Sequence, residues 1–183
     1  MKTSWVILMM FVSGLSYAEG PAQSEVKTKI SEVQAWAADP VVVDAVVEEN
    51  NKNKSLDQIK MMDRRWKDST RVTKMIRPFL ANKCAVQLRK IKAEAGDVED
   101  IFVMDNQGAI VCETDMTSDY WQGDEEKFQK VFNGKFGTVF VDGPKFDEST
   151  QAEIIQISVP VLSKSSDSVV GVMTVGINNK TLR

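Results

Sequence analysis

The sequence predicts an α+β domain, with helices in its first half and a meander of about five antiparallel strands in its second. Two observations predict it. Up to Gly96 the apolar residues recur every three or four positions, the period of a helix. Beyond Gly96 they alternate with a period of two, and the strands follow one another without the strand–helix alternation of a parallel α/β fold.

The elements can be justified in order. The opening "MKTSWVILMMFVSGLSYAEG" reads as an export signal: Lys2 is the positive start, residues 5–12 are the apolar stretch, and Ser16 and Ala18 are the small residues before a cut after Ala18. The stretch is short for a membrane span, which needs about 20 residues. An uncleaved anchor is the alternative. Val26, Ile30, Val33 and Ala37 then form one helical stripe. Asp39-Pro40 punctuates it, as N-cap and first helical residue. Val42, Val43, Val46 and Val47 continue an apolar face in a second helical piece. Ser55 with Gln58 fits a capping box, followed by Leu56, Ile59, Met62 and Trp66 at helical spacing. A further helical run carries Val72, Met75, Ile76 and Phe79. Asn82 caps another, with Cys84, Leu88, Ile91 and Ala95 on its buried side and Gly96 as its stop.

"DIFVMD" and "AIVCETD" are the first two strands, joined by the turn "NQG". "GDEEKFQKVF" reads as a short helix with Asp124 as its N-cap and Phe128, Val131 and Phe132 on its apolar side. "GTVFVD" is a third strand, "GPKFDEST" a loop, and "AEIIQISVPVL" and "VVGVMTVGI" two long strands joined by "SKSSDS". Read facewise, the long strands put Ile155, Ile157, Val159 and Val161 with Met173, Val175 and Ile177 on one side. Gln156, Ser158, Thr174 and Gly176 fall on the other. That second side is either simply half exposed or the floor of a small cavity, with a helix packed on the first side.

Composition narrows the function. The 183 residues are 43% hydrophobic and 27% charged with a net charge of -3, so the chain is globular and has no basic footprint for nucleic acid. There is no histidine, which removes Ser-His-Asp and Cys-His catalysis and the commonest zinc ligand. Asp119 with Glu125 is an acid/base pair only on paper, and no calcium-loop spacing is present. No cofactor motif is found. Cys84 and Cys112 would pair in an oxidising compartment or remain as two buried thiols.

The succession "IFVMDNQGAIV", "TSDYWQGDEEKF", "GPKFDEST" and "QISVPVL…VVGVMTVGI" resembles the single Cache (PDC, PAS-like) extracytoplasmic sensor domains over residues 26–177, nearly the whole chain. "TSDYWQGDE" is similar to a narrower group of small secreted proteins made of this domain. The resemblance implies a long N-terminal helix packed on one face of a five-stranded antiparallel sheet and a small-molecule pocket on the other. It implies a sensor of small carboxylates or amino acids rather than an enzyme. It also implies a membrane-bound kinase, cyclase or chemoreceptor as partner and a homodimer through the N-terminal helix. The amino-acid pattern of the family is incomplete: Tyr120-Trp121 is reversed and lacks an adjacent Arg, the loop aromatic is Phe146, and the last-strand acid is replaced by Gly176. An α-amino ligand is therefore disfavoured.

The candidate ligand residues follow. Tyr120 and Trp121 are adjacent and point opposite ways in an extended chain, so at most one easily enters a given pocket; a ligand wall and a hydrophobic plug over the core are the two readings. Trp66 lies on an apolar stripe beside Arg64 and Arg65. Arg65, Arg77 and Lys127 are the candidate partners of a carboxylate. Asp147 is expected in a loop next to a strand end, and Ser158 and Thr174 on the pocket floor. The expected function is a periplasmic small-molecule sensor working through a separate membrane partner. The alternative is a ligand-free interaction protein on the same fold.

Overall fold

The computed structural model describes residues 21–147, 152–164 and 168–181. In chain order come α1 (Pro21–Ala37), α2 (Pro40–Asn51), α3 (Leu56–Lys67), α4 (Arg77–Ala81), α5 (Lys83–Ala95), β1 (Val98–Met104), β2 (Ile110–Glu113), α6 (Glu126–Phe132), β3 (Phe140–Asp147), β4 (Ala152–Leu162) and β5 (Val169–Asn178). The export signal read over residues 1–18, and parts of the connections at 148–151 and 165–167, lie outside the described residues.

Local chemistry sets the helix ends. Asp39 accepts the Val41 N–H at 2.8 Å and Pro40 opens α2, so the long N-terminal helix is divided into α1 and α2. Proline cannot continue a helix from the preceding turn, because it lacks the N–H and its ring meets the carbonyl four residues back. Ser55 and Gln58 form the reciprocal capping box of α3, and Asn82 caps α5 by accepting the Ala85 N–H at 2.8 Å. Gly96 ends α5 with φ 73°, a left-handed position that suits glycine.

Four sequence expectations are corrected. The helical run through Val72 is absent: α4 starts at Arg77, because Pro78 belongs in a first turn, and Val72 is exposed. The N-cap of α6 is Glu125, not Asp124, since a turn from the Glu125 N–H to the Gln122 carbonyl delays the helix by a residue. Residues 143–147 are not loop. A bulge between Asp142 and Lys145 absorbs Gly143 and Pro144, and Lys145, Phe146 and Asp147 pair again with Ile154, Glu153 and Ala152. Proline is tolerated there because β3 is an edge strand. Val47 and Leu56, read on apolar stripes, are exposed rather than buried.

The sheet is antiparallel in the order β2-β1-β5-β4-β3. Its two faces separate two cores. Ile101, Val103, Ile157, Val159, Met173 and Val175 pack under Val33, Val42, Val46 and Leu88 of α1, α2 and α5. On the opposite face Phe102, Met104 and Val172 meet Ile59 and Trp66 of α3, Tyr120, and Phe128 and Val131 of α6. Each fully buried aliphatic or aromatic side chain contributes about 1.5–3 kcal/mol by removal from water. The Cys84 and Cys112 sulfurs are bonded, with Cα atoms 5.8 Å apart, joining the start of α5 to β2.

Candidate ligand cleft

The register lays out the second face in rows. One row runs Glu113, Phe102, Thr174, Ser158, Phe140 from β2 to β3. The next runs Asp100, Gly176, Gln156, Asp142. Directly opposed residues share a face, so polar groups gather at one end of a sheet that is otherwise apolar there. A cleft of about 730 Å³ lies over this end. Asp100, Phe102 and Gln156 line it from the sheet, Lys127 from α6, and Thr117, Ser118 and Gln122 from the segment after β2. Ser158 and Thr174 lie fully buried in the adjoining row, their hydroxyls 2.8 Å apart and bonded to each other.

Residues 117–122 are held from both sides. Asp63 of α3 accepts the backbone N–H groups of Tyr120 and Trp121, each at 3.0 Å. The Trp66 indole N–H donates to the Thr117 carbonyl at 2.8 Å, and Thr117 donates to Glu113 Oε2 through its N–H (3.1 Å) and hydroxyl (2.9 Å). The Ile110 N–H donates to the Tyr120 carbonyl at 3.0 Å. Tyr120 is buried in an aromatic cluster, with ring centroids 5.6 Å from Trp66 and 5.3 Å from Phe79. Trp121 is half-buried; its indole N–H donates to the Gln107 carbonyl at 2.8 Å, and its ring occupies the space a side chain at Gly123 would need.

The cleft's charges are mixed. Lys127 is largely buried, with Nζ 2.9 Å from Glu125 and 5.1 Å from the centre of the Phe102 ring. Lys92 Nζ is 2.8 Å from Asp115. Glu113 is fully buried; burial, with the Asp115 and Asp100 charges adding, pushes its carboxyl up to about 7 against the two Thr117 hydrogen bonds. Behind the segment, burial opposes the charge of Lys54, but Tyr120, Glu49 and Asp105 outweigh it and hold the ammonium above its ordinary range. Among the described residues no group of His, Cys, Asp or Glu is arranged to hold a metal ion, and no helix is long and apolar enough to cross a membrane.

The structure gathers only some of the sequence candidates. Lys127 lines the cleft, and Ser158 and Thr174 lie in the row beside it. Trp66 and Tyr120 are core, because the Asp63 and Thr117 hydrogen bonds turn both rings inward. Arg64, Arg65 and Arg77 are exposed and do not line the cleft; the buried stripe of α3 runs through Ile59, Asp63 and Trp66 instead. Asp147 ends the edge strand β3, and Phe146 beside it is exposed; neither lines the cleft. Asp100, Thr117 and Gln122 line the cleft although no motif singles them out. Strand alternation through Asp100, Phe102 and Met104 was the available signal for the first. The others depend on register and loop path.

No protein-family model matches the sequence, and no curated protein matches it. Among solved structures the chain is similar to the sensor domain of the V. cholerae histidine kinase DctB, at 11% identity and TM-score 0.50, covering 88% of this chain and 53% of that one. It is also similar to the ligand-binding domain of the Campylobacter jejuni chemoreceptor Tlp3 in complex with L-valine (12%, TM-score 0.44, 91% and 66%). A third is that of the Pseudomonas aeruginosa PAO1 amino acid chemoreceptor PctC in complex with GABA (14%, TM-score 0.43, 87% and 61%). The chain therefore spans about half to two thirds of the length of these structures. At such identities the likeness is one of fold. The five-stranded antiparallel sheet, with helices packed on both faces and a cleft at one end of the second, is a Cache (PDC, PAS-like) type of fold, shared with the DctB sensor domain.

Proposed function

We propose that this chain is a periplasmic small-molecule sensing protein that binds its ligand in the cleft over Asp100, Phe102 and Gln156. It passes occupancy to a separate membrane-bound kinase, cyclase or chemoreceptor. The observation that carries the reading is the cleft: its volume suits a small metabolite, and polar groups converge on an apolar floor. Lys127, stacked over Phe102, is the residue placed to meet a ligand carboxylate. The fold shared with a kinase sensor domain supports sensing over catalysis, and the export signal read over residues 1–18 supports the compartment. A homodimer through α1 belongs to the same reading.

The test is a thermal-shift screen of the chain over small metabolites weighted to carboxylates. A ligand at a hundred times its Kd stabilises by about 2.7 kcal/mol, which a melting curve resolves. Lys127→Met is expected to remove the shift. If no metabolite raises Tm, ligand sensing fails.

A ligand-free interaction protein is the second reading. The observation in its favour is that Tyr120 and Trp66 plug the core. The open cleft beside them favours the first. Capture of a membrane protein by the chain, indifferent to metabolites, would favour the second.

A further inference from the structure

We infer that the outer side of α3 and the segment after it form a docking surface for a bilayer that carries anionic phospholipids. The inference goes beyond the ligand reading and does not depend on it.

The net charge of -3 hides an uneven distribution. Residues 57–77 hold seven basic and three acidic residues, so this stretch carries +4 and the remainder of the chain -7. The kind of cation changes as well. Lysine supplies most of the positive charge elsewhere, yet four of the chain's six arginines fall within residues 64–77. Arginine presents a planar fork that meets phosphate oxygens two at a time, and it is more weakly hydrated than an ammonium.

The fold turns these groups outward. Ile59, Asp63 and Trp66 form the buried side of α3, which leaves Lys60, Arg64 and Arg65 on its exposed side. Arg71, Lys74 and Arg77 are exposed in the segment that follows. That segment folds back beside the end of α3: Ile76 is buried in the same core, and the Phe79 ring lies 5.5 Å from Trp66. Ser69 and Thr70, between Lys67 and Arg71, line the cleft, so the patch adjoins its rim.

Most of these cations are uncommitted. Lys67 is 2.8 Å from Asp63 and 3.6 Å from Asp119, and Lys60 lies over the Trp121 ring. Arg64, Arg65, Arg71, Arg77 and Lys74 have no side-chain partner among the described residues. The dipole at the end of α3 favours basic residues in its last turn and accounts for Arg64, Arg65 and Lys67. It does not account for the three cations beyond that turn.

The neighbouring apolar groups select the partner. Leu56, Met61 and Val72 are 43%, 45% and 41% exposed among the cations. An acidic protein surface would answer the charges and leave these side chains without a use. A bilayer surface answers both, with phosphates for the arginines and the acyl boundary for the apolar groups. The exposed acids within the patch, Asp57 and Asp68, are outnumbered.

The test is co-sedimentation of the chain with vesicles of phosphatidylcholine alone and of an equal mixture of phosphatidylcholine and phosphatidylglycerol. The mixed vesicles are expected to bind the chain at low salt and to release it at about 1 M salt, where the Debye length is about 3 Å. One basic residue near an anionic surface is worth about fivefold, so Arg64→Gln/Arg71→Gln is expected to weaken binding by about twentyfold. Lys83→Gln/Lys135→Gln removes the same charge from exposed positions outside the patch and is expected to change binding by less than about twofold. Unfolding curves of both double variants confirm that they fold. Attachment through the apolar residues 5–12 would ignore lipid charge and salt. Binding to neither vesicle, equal binding to both, or equal loss in the two double variants overturns the proposal. Capture of an acidic protein through Arg64 and Arg71 without vesicle binding also overturns it and makes the patch a protein interface. A chain that no metabolite stabilises but that binds the mixed vesicles fails the ligand reading and supports this one.

Discussion

The Tyr120 hydroxyl accepts a 2.7 Å hydrogen bond from Lys54 Nζ, which also lies 2.7 Å from Glu49 Oε1 and 3.5 Å from Asp105 Oδ2. The segment beside the cleft is thereby tied to α2 and to the β1–β2 turn through one largely buried ammonium.

Lys54→Met leaves the buried Asp105 carboxylate without its cation and is expected to cost about 3 kcal/mol. Tyr120→Phe removes one hydrogen bond to a charged group and is expected to cost about 1.5–2 kcal/mol. Urea denaturation of both singles and the double variant gives the coupling, which vanishes if the contact is inert.

Tyr120 and Trp121 separate by burial. Tyr120→Ala empties a site enclosed by Trp66 and Phe79 and is expected to cost about 3–5 kcal/mol. Trp121→Ala, at a half-buried position, is expected to cost about 1–2 kcal/mol. Equal losses in equilibrium unfolding would contradict the assignment of Tyr120 as the core member of the pair.

The Cys84–Cys112 bond closes a loop with a sequence separation of 28. Chain-entropy reasoning assigns such a loop about 3–4 kcal/mol, acting mainly through the unfolded chain. Denaturation with and without reductant is expected to differ by that amount. The Cys84→Ala/Cys112→Ala variant is expected to match the reduced chain and ignore reductant.

Glu113 makes stability fall as pH rises. Its folded carboxyl titrates at about 7 against an ordinary 4.5, so the folded chain holds a proton that the unfolded chain has released between those values. Its contribution is full below about pH 4.5 and is lost as pH rises through about 7, amounting to at most about 3 kcal/mol. Glu113→Gln is expected to flatten that part of the profile and to be the more stable chain at pH 8. Parallel profiles for parent and variant would show that Glu113 is not the titrating group.

Much of the fold was legible because it depends on local chemistry. Asp39-Pro40, the Ser55–Gln58 box, Asn82 and Gly96 each mark a boundary by a cap or a backbone restriction, and all four do so in the structure. The two faces of β4 and β5 were legible because strand alternation has a period of two. What failed was decided by tertiary context. Gly143-Pro144 carries the signature of a turn, yet the edge of the sheet accommodates it as a bulge. The cleft was legible only in part. Gln156 and Lys127 reach it from positions the patterns assign, whereas Thr117 and Gln122 reach it through a chain path that no local pattern encodes. Arg64, Arg65 and Arg77 have the chemistry to meet a carboxylate, but their helix faces turn them to solvent.

The two borders of the sheet have a consequence for how the protein behaves among its neighbours. On β2 the Asn82 side chain, already capping α5, donates at 2.9 Å to the Val111 carbonyl, one of the groups through which a foreign strand would attach. On β3 Pro144 offers no N–H, the bulge breaks the spacing, and Lys145 adds a charge. Neither border presents an uninterrupted template, so a crowded solution of these molecules lacks a ready seed for edge-to-edge polymerisation.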